Sequence, residues 1–403
     1  MYFAVYAANG PPAAKVALEV LVSLGSLRRS LFSSDEERQV RSCLTSPPPP
    51  PPSAHLLASS TSSSALTLSP PLPSPRPSPH QAFLLRMLNG TLSILQTQRG
   101  LSDHGNYHEL CRLLARLKSN FQLSELVTCA PYEDWIRIVA TFTVDSFKHW
   151  EWAANSVYYL LSLWSRLVAS MPYLKGETPS HLEGYVPEVI TAFITSRMQL
   201  VTHLIAAEEG DGESSEVDNP LDDEEALNEQ LDTLPSLCRF QLQQVSSFVV
   251  NLFEPSARHY SAALSQPASE RQGNKAVRLR LAQSEGELAW LIYIIGQVLG
   301  SHLTPNSNAE TQQLVDGELT ALVLQLIPLL DAPETSNERA NLPSNQHLHC
   351  ALLFFLQQFR KVRGGHGRPS HPLPYPTPPC PLHPTALCSL TPLLPPIPAG
   401  VCG

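Results

Sequence analysis

Several things are scarce or missing in this sequence, and each absence removes a class of function. There is no basic excess: 27 Lys and Arg stand against 36 Asp and Glu, so no cationic face able to hold a nucleic-acid backbone is expected. The eight cysteines are scattered at 43, 111, 129, 238, 350, 380, 388 and 402. Without a dense framework, a reduced cytosolic or nuclear compartment is expected. The first fifteen residues lack a basic start and are interrupted by Asn9-Gly10-Pro11-Pro12, so no secretory signal is expected. The sequon Asn89-Gly90-Thr91 then has no glycosylation route.

No apolar run reaches the roughly 20 residues of a spanning helix. The most lipid-like, 288–303, has 16 residues and includes Gln297, Ser301 and His302, which fits a buried helix and no membrane insertion. A Gly-rich phosphate loop, a G-x-S-x-G elbow and a helix of paired carboxylates are all missing, so no enzyme activity and no cofactor are expected.

What is present is unevenly placed. Of 38 prolines, 12 lie in residues 45–80 and 12 in residues 364–403. Six consecutive prolines at 47–52 have no amide donors and read as extended polyproline. The composition divides the chain into a helical segment 1–44, a disordered Pro/Ser-rich insertion 45–81, helical repeats 82–207, an acidic loop 208–225, helical repeats 226–362 and a disordered Pro-rich tail 363–403. The acidic loop holds ten carboxylates and no Lys or Arg: Glu208, Glu209, Asp211, Glu213, Glu216, Asp218, Asp222, Asp223, Glu224 and Glu225. Its ten negative charges exceed the net charge of −9, so the rest of the chain is close to balanced, and it is the candidate contact for a basic partner.

The remaining texture is helical. Residues 13–27 read as an apolar helix, and Ser34-Asp35-Glu36-Glu37 has capping-box spacing. Tyr107, Leu110, Cys111, Leu114 and Leu117 form an apolar stripe at i, i+3, i+4, i+7 and i+10. Similar stripes run through Trp135, Ile138, Val139 and Phe142, through Val157, Leu160, Leu161, Trp164 and Val168, through Val186, Val189, Ile190, Phe193 and Val201, and through Leu288, Leu291, Ile292, Ile295 and Val298. Pro179 and Pro187 are expected in the first turn of a helix. Helix pairs begin near 106, 155, 226 and 277, a period of about 50 once the acidic stretch is set aside as a loop. The expected fold class is all-α, an α-α superhelix of the HEAT/ARM solenoid kind.

Three clusters have the residue types of a chemical site. In NYHELCRLLARLKSN (106–120), His108 and Glu109 begin an H-E-x-x-H zinc motif, but Arg112 stands where the second His belongs. Cys111 lies on the apolar stripe, and Arg112 and Arg116 share a face expected to be solvated. His347-Leu348-His349-Cys350 alternates, and alternate residues of a helix do not face one another. Cys380, His383, Cys388 and Cys402 sit in the Pro-rich tail without a packed scaffold. No metal site is expected from any of them.

The wording of the helices carries more. LRRSLFSSDEER (27–38), MLNGTLSILQTQ (87–98), NYHELCRLLARLKSN (106–120), HWEWAANSVYYLLSLWSRL (149–167), PEVITAFITSR (187–197), WLIYIIGQVLG (290–300), DGELTALVLQL (316–326) and FFLQQFRK (354–361) resemble the exportin-7 group of karyopherin-β nuclear transport receptors, also described as Ran-binding proteins 16 and 17. The resemblance covers 2–44 and 82–362, with gaps in the acidic and 266–284 regions. It implies a HEAT-type solenoid that binds Ran-GTP and folded protein cargo together, contacts nucleoporins and shuttles between nucleus and cytoplasm. The implied hydrolysis belongs to Ran, and the implied state is a monomer. A HEAT-repeat scaffold without Ran binding is the alternative. The chain is shorter than such a receptor and is expected to be a middle section. Its two Pro-rich pieces depart from the family and are expected to derive from read-through of non-coding sequence.

Overall fold

The computed structural model describes residues 2–8, 10–27, 78–175, 178–209, 219–301, 309–330 and 346–364, and all that follows concerns these. The capping box at Ser34, the polyproline stretch and the tail cysteines lie outside them. The described elements are helices, with no strand among them, so the all-α solenoid expected from the stripes is what the chain forms.

Helix α1 (Tyr2–Ala8) leads to α2 (Pro11–Gly25), where Gly10 is the N-cap and the two prolines occupy the first turn, which needs no amide donor there. Helix α3 (Pro79–Thr97) takes in the last three residues of the expected Pro-rich insertion, which was to end at 81. The cause is a capping box: the Ser78 side chain accepts from the Gln81 amide at 3.3 Å, and Gln81 Oε1 accepts from the Ser78 amide at 3.1 Å. Then come α4 (His104–Asn120), α5 (Tyr132–Lys148), α6 (Val157–Ala169), α7 (Leu182–Glu209), α8 (Glu224–Leu231), α9 (Leu234–Phe240), α10 (Leu242–Leu264), α11 (Lys275–Gly300), α12 (Ala309–Leu324) and α13 (Gln346–Gly364).

Helices that are not adjacent in sequence pack on one another, which separates the array into two layers. In one layer α2 packs on α4, α4 on α6 and α6 on α9; in the other α3 packs on α5, α5 on α7 and α7 on α11. Each repeat thus covers the stripe of its neighbour. Every stripe residue read from the sequence is buried except Ile138, which is half-buried. The run at 288–299 is buried nearly all round, because α11 lies against α7, α9, α10 and α12 and has no solvent face to keep polar.

Tryptophans knit the array, one within a layer and one between the two. Trp135 Nε1 in α5 donates to Thr91 Oγ1 of α3 at 2.9 Å, and Trp164 Nε1 in α6 donates to Thr143 Oγ1 of α5 at 3.0 Å. Each threonine hydroxyl donates in turn to a carbonyl four residues back, Met87 at 2.9 Å and Val139 at 2.8 Å. A buried indole N–H is costly without an acceptor, and the threonine provides one inside an apolar core.

Neither of the two prolines expected in a first turn is there: α7 begins at Leu182, so Pro179 lies ahead of the helix and Pro187 lies inside it. A proline there deprives the carbonyl of Glu183 of its helical partner. The Gln241 amide supplies the missing donor, with Nε2 at 2.7 Å from the Glu183 carbonyl oxygen, so the helix continues. Only a residue 58 positions away makes this proline tolerable.

Candidate partner-binding surface

The acidic stretch is less of a loop than its composition implies. Helix α7 runs through Glu208 and Glu209, and α8 begins at Glu224. Asp211, Glu213, Glu216 and Asp218 lie outside the described residues, as do the side chains of Glu208 and Glu209. Asp222, Asp223, Glu224 and Glu225 are described, and all four are exposed.

Two of these four have internal tasks. Asp223 is the N-cap of α8, with Oδ1 accepting from the amides of Glu225 at 2.9 Å and Ala226 at 3.1 Å. Asp222 Oδ1 lies 2.7 Å from Nε2 of His347 in α13, an exposed pair that ties the entry of α8 to a helix 125 residues on. A turn precedes them, in which Asn219 Oδ1 accepts from the Leu221 amide at 3.1 Å and the Asn219 carbonyl accepts from the Asp222 amide at 2.9 Å.

Glu224 and Glu225 remain available, and the fold adds two carboxylates that the charge run did not include. Glu229 and Asp232 join Glu224, Glu225 and Asn228 around a shallow basin of about 460 Å³ on the outer side of α8. Their spacing, 225, 229 and 232, was the available signal, since i, i+4 and i+7 share a helix face. Asp232 is steadied by Gln297 of α11, whose Nε2 donates to Oδ1 at 3.1 Å.

The inner side of α8 fixes the basin to the core. Leu227, Gln230 and Leu231 are buried, and Gln230 Oε1 accepts from Arg197 Nη1 of α7 at 3.3 Å. Arg197 is 3% exposed and lies against the rings of Phe193, 5.2 Å from its guanidinium carbon, and Trp290, at 5.6 Å. Burial lowers its pKa to about 10, and the two aromatic faces with the Gln230 amide stand in for the lost water. Nothing in the residue pattern announces this buried cation, because arginine is ordinarily a surface residue.

The remaining candidates resolve into structure. In α4, Glu109 is buried and pairs with Arg112 at 2.7 Å, so the face expected to be solvated is half enclosed there, while Arg116 is exposed. His108 Nδ1 lies 3.1 Å from Ser156 Oγ, and Cys111 is fully buried, with its thiol pushed up to about 12 by desolvation. Such a thiol is not a nucleophile. His347 is engaged with Asp222 while Leu348 points into the core, so the alternation splits that cluster. No group of three metal-ligating side chains occurs among the described residues.

Comparison with known proteins gives this surface its setting. Residues 209–366 match the family model described as "Exportin-7-like, TPR domain", a span that begins in the acidic stretch and ends with α13. The chain is 37% identical over 362 residues to Exportin-7-B of Xenopus laevis, covering 90% of this chain and 27% of that protein. It is 36% identical over 367 residues to Ran-binding protein 17 of Homo sapiens, covering 91% of this chain and 28% of that protein. Against Ran-binding protein 16 of Drosophila melanogaster it is 40% identical over 282 residues, covering 70% and 24%. No solved structure matches the chain. The chain therefore spans roughly a quarter of the length of these relatives, and within that span the family model, the relatives and the paired-helix fold agree. The chain belongs to the exportin-7 family.

Proposed function

We propose that this chain is a segment of a nuclear export receptor that engages Ran in its GTP form together with a folded protein cargo. The observation that carries the reading is similarity along 90% of the chain to a protein named for export, and along 91% to one named for Ran binding, on a fold made of stacked helix pairs. The physics of that fold suits the task. Each pair touches only its neighbours, so curvature changes at low cost, and two ligands that favour one curvature favour each other. Nucleoporin contact and shuttling between nucleus and cytoplasm belong to the same reading. Nucleotide hydrolysis is assigned to Ran, and the receptor segment contributes binding alone.

Within this reading the outer face of α8, with Glu224, Glu225, Glu229 and Asp232, and the acidic stretch before it form a contact for a basic surface of Ran or cargo. Carboxylates held at fixed spacing on a helix steer a cationic partner, and salt screens that attraction.

The test is binding of the purified chain to Ran loaded with GTP and with GDP. The expected result is a clear preference for the GTP form, with affinity falling as salt rises. Replacing Glu224, Glu225 and Glu229 by glutamine should weaken binding and flatten its salt dependence. Equal or no binding to both forms by a folded helical sample would overturn the Ran reading for this segment and leave a protein-binding scaffold.

A further inference from the structure

The end of α4 carries a group of cations that no carboxylate balances. Arg116 and Lys118 of α4 and Arg166 of α6 lie around Ser119, and among the described residues none of the three takes part in an ion pair. Arg166 Nη1 donates to Ser119 Oγ at 2.6 Å, and the Ser119 hydroxyl donates in turn to the Ala115 carbonyl at 3.0 Å. Arg116 stands three residues before Ser119 on the same helix face, and both are exposed. Lys118 is 7% exposed, with the Phe121 carbonyl at 3.4 Å from its Nζ. Burial and the nearby Arg166 together lower the Lys118 pKa. Positive charges gathered in this way repel one another unless an anion joins them.

Three helices of one layer meet at the same place. Asn120 Nδ2 donates to the Gly25 carbonyl at the end of α2, a Cβ on Gly25 would stand 3.9 Å from Arg116 Cβ, and α4 packs on α6. Helix α4 stops at Asn120, and Phe121 is already extended, with φ −112 and ψ 135. Only the last turn has to open for Ser119 to be presented in an extended segment, and terminal turns open at the lowest cost. In that segment, Arg116-Leu117-Lys118-Ser119, arginine lies three residues and lysine one residue before the hydroxyl. This charge pattern fits a protein kinase with an acidic substrate cleft.

We propose that Ser119 is a phosphorylation site whose phosphate is held by Arg166 and Arg116, clamping α4 to α6. A kinase brings the nucleoside triphosphate: the bond from Ser119 Oγ to the terminal phosphorus forms and the bond from that phosphorus to its bridging oxygen breaks. The hydroxyl proton passes to the kinase's base, and the nucleoside diphosphate leaves. A phosphate near a helix C-terminus is opposed by the dipole, equivalent to roughly half a negative charge. Two guanidiniums and the Lys118 ammonium outweigh it, and Arg166 already stands at hydrogen-bond distance from the oxygen that would carry the phosphate. Bending of the array moves neighbouring pairs against one another, so the clamp stiffens this junction.

The test is incubation of the purified full chain with Mg-ATP and a serine kinase that prefers arginine three residues before its target, followed by mass spectrometry. Phosphate at Ser119 is expected, with its loss in Ser119→Ala. A peptide of residues 112–124 serves as the unfolded control. If the peptide accepts phosphate and the full chain does not, the fold shields the serine and the proposal is overturned; a peptide that also stays unmodified overturns it as well. The clamp has its own readout. Phosphorylation should raise the thermal midpoint, followed by helical circular dichroism, by about 2–4 °C. Arg166→Gln lies outside the segment the kinase reads, so it should leave the modification in place and abolish the rise. A midpoint that falls or stays unchanged on phosphorylation, or a rise that survives Arg166→Gln, would overturn the clamp.

Discussion

Two segments of this protein have almost the same hydropathy and very different surroundings. Leu182–Ala207, nearly all of α7, has a mean hydropathy of 1.3 in its most apolar window, and 44% of that window is buried. Glu310–Leu330, which covers α12 and the turn after it, reaches 1.4 with 22% buried. Both are long and apolar enough to cross a membrane by length and composition alone, which corrects the expectation that no run reaches that length. The difference between them lies in position along the array. Helix α7 packs on α5 and α11 and also on α9 and α10, whereas the packing of α12 among the described helices is chiefly on α10 and α11. In a solenoid, burial depends on rank in the stack as much as on composition.

The sharpest way to test that contrast is truncation at matched positions. Phe193→Ala in α7 removes a ring with no exposure and should cost about 4 kcal/mol, while Leu314→Ala in α12 should change stability by less than about 0.5 kcal/mol. Urea unfolding followed by helical signal compares the two. A comparable loss at Leu314 would mean that α12 is covered in solution and would collapse the contrast.

A second, smaller effect is read through pH. Glu285 of α11 is one residue from the point where that helix meets α7, and desolvation pushes its carboxyl up to about 8. A folded pKa above the ordinary carboxylate value means that the folded chain keeps a proton the unfolded chain has released. Stability therefore falls as pH rises from about 4.5 to about 8, and levels off above. Glu285→Gln should remove that slope and raise stability at pH 8 by about 3 kcal/mol or less. A slope that survives the substitution would place the titrating group elsewhere.

The smallest effect distinguishes the two sides by adding one methyl group. At Gly286 a Cβ would approach Val201 Cγ1 of α7 to 2.7 Å, whereas at Gly317 of α12 it would meet nothing within 4 Å. Gly286→Ala should therefore destabilise by about 1 kcal/mol or more. Gly317→Ala should stabilise by about 0.5–1 kcal/mol, because the chain gains helix propensity and meets no obstacle. Thermal midpoints that move in the same direction for both would contradict this account of the contrast.

How much was legible in advance varies by residue. The stripe through Tyr107, Leu110, Cys111, Leu114 and Leu117 settled both the helix and its buried side, because a 3.6-residue period admits one apolar face. Helix starts near 106, 155, 226 and 277 anticipated α4, α6, α8 and α11, which begin at His104, Val157, Glu224 and Lys275. The start of α3 was also written in the sequence, as Ser78-Pro79-His80-Gln81, but the surrounding prolines masked its capping pattern. Pro187 was misplaced because the donor that rescues its helix, Gln241, is remote in sequence. The acidic face was seen only in part: a run of charge marks a stretch of chain, whereas Glu229 and Asp232 join it through helical geometry.

Sequence alone determined the helices, their inward faces and the family, since periodicity is local and the family wording is long and continuous. Tertiary structure decided which charges are free and which apolar faces are covered. Arg197 is an interior cation because Phe193, Trp290 and Gln230 converge on it from three helices, and Asp223 is a helix cap because α8 begins beside it. Leu314 and Leu353 are exposed although they are large and apolar, because no described helix lies over them. A residue's chemistry is local, but its desolvation is set by neighbours that only the folded chain brings together.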